Sequence, residues 1–134
     1  MHYLKCIAML DYLLKKLYSE QRKQVPVSTL DEVLQVVDNV IKALPNEQDV
    51  MLQVRLQDVQ TAAVTIKSTQ GILFLTDAMK DAIVGGINEV RAALQILAFN
   101  YFVTNDFEPT PEIIPMMRDV VKTAAERGLI QKGA

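Results

Sequence analysis

Apolar positions in this chain recur at steps of three and four, the spacing of a helix that buries one face. The longest stretch to hold one such phase runs from Ile72 to Val103. Its apolar positions are Ile72, Leu75, Met79, Ala82, Gly86, Val90, Ala93, Leu97 and Tyr101, and the polar ones are Asp77, Asp81, Asn88, Arg91 and Gln95. At 1.5 Å per residue a helix over 72–103 is about 48 Å long. Gly85 and Gly86 interrupt it with residues that each cost about 1 kcal/mol in a helix interior. The polar stripe keeps its phase across them, which favours one helix, bent if at all. Within it Ala78, Ala82 and Gly86 form a row of small side chains that would let another backbone approach closely.

Four further helices follow from the same patterning. Over 2–20, Tyr3, Cys6, Ile7, Leu10, Leu13, Leu14 and Leu17 face one way, and Lys5, Lys15, Lys16 and Ser19 face the other. Asp11 and Lys15 have the spacing of an i,i+4 ion pair. Residues 21–27, QRKQVPV, form a linker whose Pro26 blocks helix continuation. Thr29 with Glu32 reads as a capping box for a second helix, about 29–44. Its seam is Leu30, Val33, Leu34, Val37, Val40, Ile41 and Leu44, and Pro45 ends it.

Asn46 is placed to cap a third helix, about 47–69, with Leu52, Leu56, Val59, Ala63 and Ile66 in heptad spacing and Gly71 as the stop. The alternation of Val50, Leu52, Val54 and Leu56 suits a strand instead, and a hairpin around 62–75 through Thr69-Gln70-Gly71 is the alternative. Thr110-Pro111-Glu112 opens a last helix, unless Pro115 sets its start a turn later, and Gly128-Leu129 stops it before a frayed IQKGA tail. The fold expected is all-α: one domain, 1–134, a four- to five-helix bundle with a long central helix over about 72–103. The alternative is α+β with the short hairpin.

Composition sharpens this picture. Half of the 134 residues are apolar and 22% are charged, so either the core is unusually complete or part of the apolar surface belongs to an interface. Net charge is −2, but residues 1–24 carry five bases against two acids and residues 25–60 six acids against two bases. Opposite signs in neighbouring segments point to complementarity within or between subunits. The basic face Lys5, Lys15, Lys16, Arg22 and Lys23 is sparse for nucleic acid or an anionic membrane.

The candidate chemistry is thin. One cysteine, Cys6, excludes an intrachain disulfide framework and fits a reducing, cytoplasmic setting. The lysines interrupt any secretory signal, and the longest uncharged run, Ala92–Asn105, is 14 residues, short of the roughly 20 that span a bilayer. A lone histidine, His2, cannot build a metal site with no Cys or His cluster. No phosphate-binding or nucleophile-elbow motif occurs. Asp77 and Asp81 lie one turn apart, but solvated faces produce that spacing constantly.

The reading is therefore non-enzymatic, with no cofactor, catalytic residue or metal. The expected role is a protein–protein interaction module, an adaptor, assembly factor or scaffold that self-associates and has no transmembrane segment. Its interface candidates are Ala78, Ala82, Gly86, Ala93, Leu97 and Tyr101, with Phe107, Met116 and Met117 as an adaptable aromatic and methionine surface. The alternatives are a carrier of a small hydrophobic ligand in a bundle cavity and weak nucleic-acid binding through the basic first helix.

Overall fold

The computed structural model describes residues 2–19, 24–104 and 114–126. Among the described residues five helices carry the fold: α1 (His2–Ser19), α2 (Thr29–Ala43), α3 (Val50–Lys67), α4 (Asp77–Thr104) and α5 (Ile114–Glu126). The chain is all-α. α1 packs on α2 and α4, and α3 on α2 and α4, so the first four close a ring. Lys16 at the end of α1 meets Glu32 near the start of α2, Lys67 at the end of α3 meets Asp31, and Arg55 of α3 meets Glu89 of α4. With Asp11 of α1 on Arg91 of α4, these contacts make each neighbouring pair antiparallel. One of the contacts, Lys16 on Glu32, joins the basic first segment to an acid of the second, as the charge distribution implied.

The ring is filled by the helical seams. Leu10, Leu13 and Leu17 of α1, Leu30, Val33, Val37 and Val40 of α2, and Ile83, Ile87, Val90 and Leu94 of α4 are buried. On α3 all five heptad positions, Leu52, Leu56, Val59, Ala63 and Ile66, point inward. Ile41, expected in the seam of α2, is partly exposed instead. α5 adds to the outside of α4 and buries Val120.

α4 runs unbroken through Gly85 and Gly86, but it starts at Asp77, not Ile72. Its 28 residues span about 42 Å against about 27 Å for the 18-residue α1 and α3. Residues 72–76 lie outside the helix. The Val27 amide donates to the Leu73 carbonyl (2.9 Å) and the Leu75 amide to the Val25 carbonyl (2.8 Å), with Pro26 opposite Phe74. This tie staples the α1–α2 linker to the α3–α4 linker. It also overturns the hairpin alternative: residues 62–67 are helical, and 73–75 pair with 25–27.

Helix starts differ from expectation in two places. The Thr29–Glu32 capping box does not form: Ser28 holds the N-cap position without a side-chain bond, and Thr29 is buried. The turn is made by backbone alone, Thr29 N–H to the Pro26 carbonyl and Leu30 N–H to the Val27 carbonyl. Glu32 is thereby left to pair with Lys16. For α3 the cap is Asp49, not Asn46; its carboxylate accepts from the Leu52 amide at 2.8 Å. α3 ends at Lys67, and Gly71 follows with φ +79°. In the described part α5 begins at Ile114, with Pro115 in its first turn. The Thr110–Glu112 cap and the Gly128-Leu129 stop lie outside the described residues.

Candidate functional site: the outer face of helix α3

α3 carries two stripes at heptad spacing, one apolar and buried, the other part apolar, part polar and exposed. The inner one is the heptad already described. The outer one, Val50, Val54, Gln57, Thr61 and Val64, has the same 4-3-4-3 spacing and is exposed along its length. Val50 is 67%, Val54 42% and Val64 52% exposed, with Met51 at 56% beside them. Five positions at heptad spacing form a continuous ridge on a helix, the pattern of a seam that receives another helix. The strand-like alternation Val50, Leu52, Val54, Leu56 is two interleaved helical seams, one facing in and one facing out.

The ridge is nearly free of charge. Arg55 and Lys67 lean sideways to Glu89 of α4 and Asp31 of α2. Asp58 is the one acid exposed along it. Exposed apolar side chains without a charged screen are costly to leave in water, about 25 cal/mol per Å².

The interface candidates read from α4 are divided by the structure. Ala78 and Ala82 face solvent, and Ala93 and Leu97 are half-buried against the core. Gly86 is the close approach: a Cβ there would stand 2.9 Å from Val59 Cγ2 on α3. That approach is internal to the bundle, so the small-residue row is not a subunit surface at Gly86. α5 packs on α4, buries Val120 and meets the middle of α4 through Asp119, which accepts from Arg91 and Gln95. Tyr101 is 38% exposed at the far end of α4. Phe107 lies outside the described residues, and of Met116 only the helical backbone is described.

The polar stripe of α4 is not simply a wet face. Arg91 donates through Nε to Asp11 of α1 and through Nη2 to Asp119 of α5, both at 2.5 Å. Gln95, 2% exposed, donates to the same Asp119 oxygen at 2.7 Å. Burial works against the Arg91 charge, but the two carboxylates outweigh it and hold the guanidinium more firmly protonated. Asp11 is thus spent on Arg91, in place of the i,i+4 pair expected with Lys15. Asp77 and Asp81 are exposed. Of the basic face, Lys5 and Lys15 are exposed, Lys16 is paired with Glu32, and Arg22 and Lys23 lie outside the described residues.

By length and composition the stretch Asp77–Tyr101 could cross a membrane, yet its apolar residues Ile83, Ile87, Val90 and Leu94 are the core of the bundle. Cys6 is buried in that core, and burial pushes its thiol up to about 11. A thiol held neutral and shielded is unreactive. Cys6 should therefore resist a thiol-specific chromogenic reagent at pH 8 in the native protein and react fully in denaturant; full reaction of the native protein within minutes would contradict this packing.

Comparison with known proteins is short. No family model, no curated protein and no solved structure matches this chain.

Proposed function

We propose that this chain is a non-enzymatic protein-interaction module, an assembly or scaffold unit that associates with copies of itself through the outer face of α3. The observation that carries this reading is the exposed seam Val50, Val54, Gln57, Thr61 and Val64. Seam spacing is a helix-pairing pattern, and this one lies where no helix of the described chain covers it.

A second copy fits the seam by its own symmetry. Laid antiparallel about the point between Gln57 and Thr61, two α3 helices place Val54 of each against Val64 of the other. Gln57 and Thr61 then meet as a polar pair near the axis, the kind of residue that sets register in helix pairs. A face about 27 Å long and one helix spacing wide measures roughly 270 Å². Both copies together bury roughly 540 Å², the size of a weak, reversible contact rather than of a permanent one. Shape and apolar area favour the pairing; charge does not. Asp58 flanks the seam on the same side in both copies, so two like charges face each other near the axis.

That gives the contact a distinctive salt response. Screening relaxes the Asp58 repulsion and strengthens apolar burial, so pairing should tighten with added salt. Sedimentation velocity from 50 mM to 1 M NaCl should show the dimer fraction rising, and Asp58→Asn should raise it already at 50 mM. A dimer that falls apart as salt rises would mean a charge-driven contact elsewhere and would defeat this reading. The buried thiol of Cys6 suits work in a reducing cytoplasm.

A further inference from the structure

At the end of the bundle away from the backbone tie, a cleft of about 410 Å³ opens between the start of α1, the α2–α3 turn and the last turns of α4. His2, Tyr3, Leu44, Pro45, Glu47 and Tyr101 line it. The volume falls in the range of small-molecule sites, about 300–1,000 Å³. We propose that this cleft binds a small organic cation, a substituted ammonium group held by the Glu47 carboxylate and the Tyr3 and Tyr101 rings.

The sign of the ligand follows from the lining. Among the described residues no lysine or arginine lines the cleft, and Glu47 is its carboxylate, with His2 at its edge. That carboxylate is fixed in place: Oε2 accepts from the Tyr3 hydroxyl, and Oε1 accepts from the Asp49 amide at 3.2 Å. Asp49, the cap of α3, adds a second negative charge behind it. Burial first, and then Glu47 and Asp49, push the Tyr3 hydroxyl up to about 12, so it stays a neutral donor at any ordinary pH. A fixed carboxylate beside two aromatic side chains offers a cation both charge and ring faces, and the apolar Leu44 and Pro45 suit the methyl groups of a substituted ammonium better than a hydrated metal ion. Anions meet like charge there.

The test uses the intact protein, with choline as the cation and 3,3-dimethylbutan-1-ol as its neutral twin of the same shape. Binding is read from amide shifts of residues 2–3, 44–49 and 101 in two-dimensional NMR. Choline should shift these amides saturably and bind at least tenfold more tightly than the alcohol. Glu47→Gln and Tyr101→Leu should each weaken choline about fivefold or more while leaving the helical circular dichroism unchanged. Equal binding of both compounds would overturn the proposal in favour of a merely apolar cleft. No shift up to 50 mM choline would overturn it outright, as would a Glu47→Gln protein that is folded and binds choline as before.

Discussion

Replacing Gly86 with leucine is expected to lower the stability of the bundle by about 3 kcal/mol, the upper end for an overpacked core. At Gly86 even a Cβ would come within 2.9 Å of Val59 Cγ2, closer than side-chain carbons approach. Val59 cannot turn aside, because it is buried and a β-branched residue in a helix has one favoured rotamer. The helices α3 and α4 would have to separate, opening the core between Leu56 and Ile87. Gly85, one residue earlier, is the control: nothing lies within 4 Å of its Cβ position. Gly85→Ala should therefore stabilise the protein by up to about 1 kcal/mol through helix propensity alone. Gly86→Ala should be destabilised despite the same gain, and adding Val59→Ala should restore part of the loss beyond additivity. Urea unfolding of the four variants measures all of this. Equal effects at Gly85 and Gly86 would contradict the close approach.

The second large effect lies in the network that joins three helices. Arg91→Met keeps the length and apolar stem of the side chain but leaves Asp11 and Asp119 without their shared cation. A fully buried pair broken in this way loses about 3–5 kcal/mol. Asp11 and Asp119 are nearly half exposed, so water and salt relieve part of that, and about 2 kcal/mol is expected. The loss should concentrate on α5, which meets α4 through Asp119 and Val120. Amide hydrogen exchange over 114–126 should accelerate more than over α1–α3. Asp119→Asn should lose less, since an amide oxygen can still accept from Gln95. A change under 0.5 kcal/mol for Arg91→Met, with α5 exchange unaltered, would show that the network is ornamental.

These sites also mark what was legible in the sequence. The inward heptad of α3 and the apolar face of α1 were readable, because period and burial coincide there. That α4 runs unbroken through Gly85-Gly86 was equally readable, since one glycine packs against Val59 and neither breaks the helix. Its buried face was not: Ile83, Ile87, Val90 and Leu94 face the core, whereas Ala82 and Tyr101 of the expected apolar face are exposed and Gln95 of the expected polar stripe is buried. Nor were the first five residues of the expected central helix readable. Ile72 to Leu75 share the helical phase of α4, but their backbones pair with residues 25–27 far away in sequence. The signal available was Thr76, whose hydroxyl accepts from the Met79 amide at 3.1 Å as an N-cap does. The burial of Gln95 depends on Asp119, 24 residues downstream, and no local pattern announces it. For the candidate surface, the residues were visible and their meaning was not. Val50 and Val54 looked like half of a strand because two heptads offset by two residues imitate alternation.

The measurement that bears most directly on self-association through α3 is solution mass by light scattering over a dilution series, for the natural sequence and for Val54→Lys/Val64→Lys. Both replaced side chains are exposed, so the variant should keep its helical content. The natural chain should show twice its 15.0 kDa mass at high concentration, and the variant 15.0 kDa throughout. A natural chain that stays at 15.0 kDa throughout, or a variant that dimerises as well as its parent, would contradict the account.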